Sequence, residues 1–97
     1  MAARTDPDCC YANATLALLS FEKDDLEGGR KGYGRAIELA PDDLDLQQKY
    51  HYEYGRALAR NGKTENARGE LQAAIEVDSD YIPKEQIEAE LAKLDGA

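Results

Sequence analysis

The chain has no tryptophan, one phenylalanine, one histidine, two cysteines and three prolines in 97 residues. Each scarcity excludes something. The cysteines, Cys9 and Cys10, are adjacent, and neighbours rarely satisfy disulfide geometry, which needs separated Cα atoms and facing side chains. They read as free thiols of a reducing compartment. The single His51 is distant from that pair, so a zinc site lacks ligands and no metal is expected. Long apolar runs are also missing. The stretch from Ala14 to Leu19 is broken by Thr15, too short for a secretory signal or a membrane span. A cytoplasmic location is therefore expected. No segment shows sustained two-residue alternation bounded by hairpin signals, which argues against strands. Basic residues are outnumbered, 12 against 20, for a net charge of −8. Such a chain repels nucleic acid and anionic membranes. The imbalance is local: residues 49–68 sum to +3 and the remainder to −11.

What the sequence does contain is helix punctuation. Asp6-Pro7 reads as a helix start. Apolar residues then recur at Cys10, Ala14, Ala17 and Phe21, in helical steps. Asp25 is placed to cap a second helix, which Pro41 ends. Asp42 or Asp43 caps a third, running to Arg60 and stopped by Asn61-Gly62. Thr64 is expected to cap a fourth. Pro83 opens a fifth, with Ile87, Leu91 and Leu94 as its stripe. The reading is all-α, one domain over residues 1–97, with about five helices.

The chain also repeats itself. Glu27, Arg30, Ala36, Ile37 and Glu38 return 38 positions later as Glu65, Arg68, Ala74, Ile75 and Glu76. A repeat of this length marks units that cannot bury their apolar faces alone. Ala17 precedes Gly29, and Gly55 precedes Ala67, by the same interval; Tyr33, Ala36 and Pro41 follow in the first unit, and Leu71, Ala74 and Ser79 in the second. This spacing resembles the tetratricopeptide repeat. The resemblance implies antiparallel helix pairs stacked as a short right-handed α-solenoid. Unit one would span about 7–41, unit two about 42–79, and a capping helix about 82–95. At the positions of the family pattern W-x2-L-G-x2-Y the chain has Asn13, Leu16, Ala17 and Ser20, then His51, Tyr54, Gly55 and Leu58; Leu16 and Gly55 keep the pattern, and the tryptophan is absent from both units. The period exceeds the usual one by four residues, close to one helical turn. The excess is expected in Asp42–Gln48 as a longer third helix without a bulge.

Features that could carry chemistry fall away on inspection. Gly29-x4-Gly34 is followed by Arg35-Ala36, where a phosphate loop needs Lys and Ser or Thr. Gly28, Gly32 and Ala36 instead share one face and read as a close helix contact. Interior glycines cost about 0.5–1 kcal/mol each, so the second helix is expected to be the least stable. Asp43-x-Asp45 and Asp78-x-Asp80 lack the glycine and glutamate of a calcium loop. Asn13-Ala14-Thr15 matches a glycosylation sequon but falls mid-helix. His51 reads as a partly buried packing residue with no partner placed by the sequence. Neither catalysis nor a cofactor is expected.

The candidate surface is the other face of the third helix: Lys49, Tyr52, Glu53, Arg56 and Arg60. In the tetratricopeptide family the first helix of each unit lines a concave groove that holds peptides. The same register in the first helix offers Tyr11, Ala14, Thr15, Leu18 and Glu22. The resemblance thus implies a non-catalytic interaction module gripping a segment of a partner protein. The basic patch on an acidic chain favours an acidic peptide. The alternative is a structural role, self-association as a homodimer through the open edge carrying Cys10, Tyr11 and Leu18, or a fragment of a longer array.

Overall fold

The computed structural model describes residues 10–96. The expected helix start at Asp6-Pro7 and the thiol of Cys9 lie outside these residues, as does the side chain of Cys10. Among the described residues the regular structure is entirely helical: α1 (Cys10–Glu22), α2 (Leu26–Glu38), α3 (Leu44–Arg60), α4 (Thr64–Glu76) and α5 (Lys84–Gly96). Local chemistry accounts for several boundaries. The Asp25 carboxylate accepts from Gly28 N at 2.9 Å and the Asp43 carboxylate from Leu46 N at 3.1 Å, each satisfying an orphan donor of the first turn. Asp24 and Gly62, both at positive φ, turn the chain after α1 and α3. One expectation fails. Thr64 is the first residue of α4 and not its cap; Lys63 holds the cap position, and no side chain caps that end. The longer third helix is met, since α3 runs unbroken for 17 residues against 13 in α2 and in α4.

Packing follows the chain in pairs. The main contacts are α1 with α2 and α3 with α4, followed by α5 on α4 and α3 on α2. Small residues make both pairs possible. A Cβ built on Gly32 would stand 2.6 Å from Ala17 Cβ, and one on Gly55 would stand 2.7 Å from Leu71 Cγ and 3.3 Å from the Ala67 carbonyl. Gly29 likewise admits the Phe21 ring, 2.5 Å from where its Cβ would be. Backbones can approach this closely only where the side chain is missing.

The core has two connected parts. Phe21 of α1, Tyr33 of α2 and Tyr54 of α3 form a triangle of rings with centroids 5.4–6.1 Å apart. Such pairs add about 0.5–1.5 kcal/mol each beyond area burial. Ala14, Ala17, Ala36, Ala57, Leu58 and Ala67 fill around them. The second part joins Tyr52, Leu71 and Ala74 to Ile82 and Ile87, so α5 closes the α3–α4 pair. Two adjacent glutamines of α3 fasten it to its neighbours, one to the end of α2 and one to α4 and the segment after it. Gln47 Nε2 donates to the carbonyls of Ile37 and Ala40 at the end of α2, at 2.7 and 2.6 Å. Gln48, fully buried, donates to the carbonyls of Ala74 and Ser79 and accepts from Ile82 N. No helix of the described residues is long and apolar enough to cross a membrane.

Candidate functional site

Lys49, Glu53, Arg56 and Arg60 follow steps of four, three and four, which puts them in one stripe along α3. Beside it run Tyr11, Thr15 and Leu18 of α1. Between the two helices lie two adjoining clefts of about 230 Å³ each. The first is lined by Tyr11, Ala14, Thr15, Leu18, Lys49, Tyr50 and Glu53. The second is lined by Leu18, Tyr33, Glu53, Arg56 and Arg60. Leu18 and Glu53 belong to both, so the clefts form one groove along α3. A third hollow of about 280 Å³ continues past Arg56 and Arg60 to Glu90, Lys93 and Leu94 of α5. Each hollow is smaller than the roughly 300–1,000 Å³ that encloses a drug-sized ligand. Side chains of a longer segment fit them better than one small molecule.

Each charged group has a defined setting. Lys49 Nζ stands 5.6 Å from the Tyr11 ring centroid and 6.0 Å from that of Tyr50, contacts worth about 0.5–1 kcal/mol where exposed. Glu53, half-buried, accepts from the Tyr33 hydroxyl at 3.5 Å. Burial pushes the Tyr33 phenol well above its ordinary range, and the charge of Glu53 and the hydrogen bond to it push the same way. Arg56 lies over Tyr52 at 5.5 Å from the ring centroid and 3.7 Å from a Glu90 oxygen. Arg60 is exposed and, among the described residues, makes no ion pair.

Of the residues expected from the sequence, Tyr11, Thr15, Leu18, Lys49, Glu53, Arg56 and Arg60 come together in this groove. Tyr52 does not. It is 6% exposed and packs with Leu71, Ile82 and Ile87, its hydroxyl accepting from Gln86 Nε2 at 3.1 Å. The reason is angular. Residue 52 sits about 60° round the helix from Lys49, on the side where α5 descends. Tyr52 therefore supports Arg56 from beneath. The sequence reading also missed the partner of His51, whose Nδ1 lies 2.7 Å from Glu70 Oε1 across the α3–α4 pair. Nothing local announces a residue 19 positions away. Tyr33 entered the sequence reading only as a position of the repeat; its hydroxyl, which needs a partner when buried, was the available signal that it also floors a polar site.

No protein-family model, curated protein or solved structure matches the chain. The functional reading rests on the repeat, the packing and this groove.

Proposed function

We propose that the chain is a tetratricopeptide-like, non-catalytic interaction module, stacked as a short solenoid, that holds a segment of a partner protein along α3. Support for the class comes from corresponding positions of the repeat. Ala17 and Gly55, 38 residues apart, both sit where a first helix meets its partner helix. Support for the role is one observation above others: the stripe on α3 and its counterpart on α1 face each other across a continuous groove with Leu18 between three cations. Arginine and tyrosine beside an aliphatic residue make effective binding anchors. On a chain of net charge −8, a cationic groove selects an acidic segment by steering and by complementarity.

The test is titration of the whole chain with acidic and basic peptide pools. Acidic peptides are expected to bind, and the double change Arg56→Glu, Arg60→Glu is expected to weaken them by about 100-fold, near 3 kcal/mol. Unchanged binding in that variant defeats the groove assignment. A second reading, self-association, is favoured by α1, which exposes Leu16 (47%) and Leu19 (44%) on the side away from its neighbours. Sedimentation across a range of concentrations separates the two readings.

A further inference from the structure

The groove is not uniformly basic, and its charge order has a consequence for what it accepts. Along α3 the sequence of charges is positive at Lys49, negative at Glu53, and positive at Arg56 and Arg60. With a helical rise of 1.5 Å per residue, Arg56 lies about 10 Å and Arg60 about 16 Å beyond Lys49. Glu53 falls between them and belongs to both clefts, as Leu18 does. A uniformly acidic segment would therefore place a carboxylate against Glu53, a like-charge contact in a partly dehydrated site.

Resting on the reading above, we infer that the groove selects an extended segment with acidic residues at positions i and i+4 and an apolar residue at i+2. In an extended chain, alternate side chains point the same way and i to i+4 spans about 13 Å. That span lies between the distances from Lys49 to the two arginines. The apolar residue at i+2 then meets Leu18, 36% exposed, opposite Glu53. Residues i+1 and i+3 face outward and carry no constraint. Each end finds a cation with capacity to spare. Lys49 is steadied by the Tyr11 and Tyr50 rings, and Arg60 has no ion pair among the described residues. Glu53 acts as the element that rejects wrong patterns, while its hydrogen bond from Tyr33 holds it in place.

The experiment compares three blocked peptides in neutral flanks, titrated into the whole chain at low salt. Their cores are Glu-Ala-Leu-Ala-Glu, the shuffled Ala-Leu-Glu-Glu-Ala, and Gln-Ala-Leu-Ala-Gln. The spaced peptide is expected to bind about tenfold tighter than the shuffled one, and the amide version weakest. Glu53→Gln keeps an acceptor for Tyr33 and is expected to raise affinity for the shuffled peptide until the gap closes. Equal binding of the spaced and shuffled peptides overturns the pattern and leaves peptide docking intact. So does an unchanged gap in Glu53→Gln. Failure of all three peptides to bind, with no effect on groove resonances, overturns both.

Discussion

Tyr33 shows how one atom separates this core from an apolar one. Its ring is stacked on Tyr54 with planes 16° apart, yet its hydroxyl reaches Glu53 in the groove. Ionising it would put a charge in a buried site beside a carboxylate, so the proton is held well above the ordinary phenol range. Tyr54 shifts the same way, first through burial and then through the negative charge of Glu70, with Arg30 opposing. An unfolded tyrosine ionises near about pH 10. The folded chain therefore retains protons that the unfolded chain has lost. The stability these groups contribute is complete below about pH 10 and is lost as pH rises through the alkaline range. Urea unfolding at stepped pH is expected to show stability falling above about pH 10. In Tyr33→Phe the slope should be shallower by up to about 1.4 kcal/mol per pH unit. A variant with the parent's alkaline slope would show that Tyr33 ionises as it does in the unfolded chain. Phenol absorbance at 295 nm gives an independent check.

The helices were largely legible from the chain because their signals are local. Apolar steps of three and four mark α1 and α5, Asp25 and Asp43 mark two starts, and Gly62 marks a stop. Thr64 was misplaced by one residue because Lys63 takes the cap position without a side-chain bond. The tetratricopeptide resemblance implied that the two first helices share a groove, and the repeat spacing, whose steps preserve a face along each helix, picked out seven of its residues. It could not bring in α5, whose position depends on contacts outside the period, and so Tyr52 was assigned to the wrong side. The glycines divide along the same line. Gly34 and Gly69 have nothing within 4 Å of a built Cβ, whereas Gly32 would meet Ala17 Cβ at 2.6 Å, Ala17 Cα at 3.0 Å and the Asn13 carbonyl at 3.0 Å. Backbone atoms cannot yield as a side-chain tip can. Gly34→Ala and Gly69→Ala are expected to raise stability by about 0.5–1 kcal/mol each. Gly32→Ala and Gly55→Ala should lower it by about 1–3 kcal/mol, because overpacking outweighs the propensity gain. Chemical denaturation of the four variants decides this. Stabilisation by Gly32→Ala would mean that α1 and α2 are not in backbone contact.

The molecule measures 46 × 30 × 18 Å along its principal axes, and the shortest of these leaves room for two helix layers, with an inter-axis distance of about 8–10 Å. A body that thin has no single deep centre, which is why its core falls into two parts and why the links between them matter. Leu94 touches both parts. Gln48 holds the second part itself together, because it satisfies backbone groups at the end of α4 and in the segment leading to α5. The same segment is held by Ser79 Oγ donating to Asp45 at 2.6 Å, but that bond is exposed. Gln48→Leu preserves volume while leaving Ile82 N and the Ser79 carbonyl without their partner. Buried groups abandoned in this way cost about 1–3 kcal/mol each, so the expected loss is about 3 kcal/mol. Gln47→Leu frees carbonyls nearer to water and should cost about 1 kcal/mol. The distribution of the loss is as telling as its size. Hydrogen exchange in Gln48→Leu should show α5 amides losing protection before those of α1 and α2, as a unit that opens separately. Tyr52 would then be uncovered and Arg56 would lose Glu90, so the α5 end of the groove should loosen while the Lys49 end keeps its shape. Uniform loss of protection through all five helices would instead mean that the two parts of the core unfold as one.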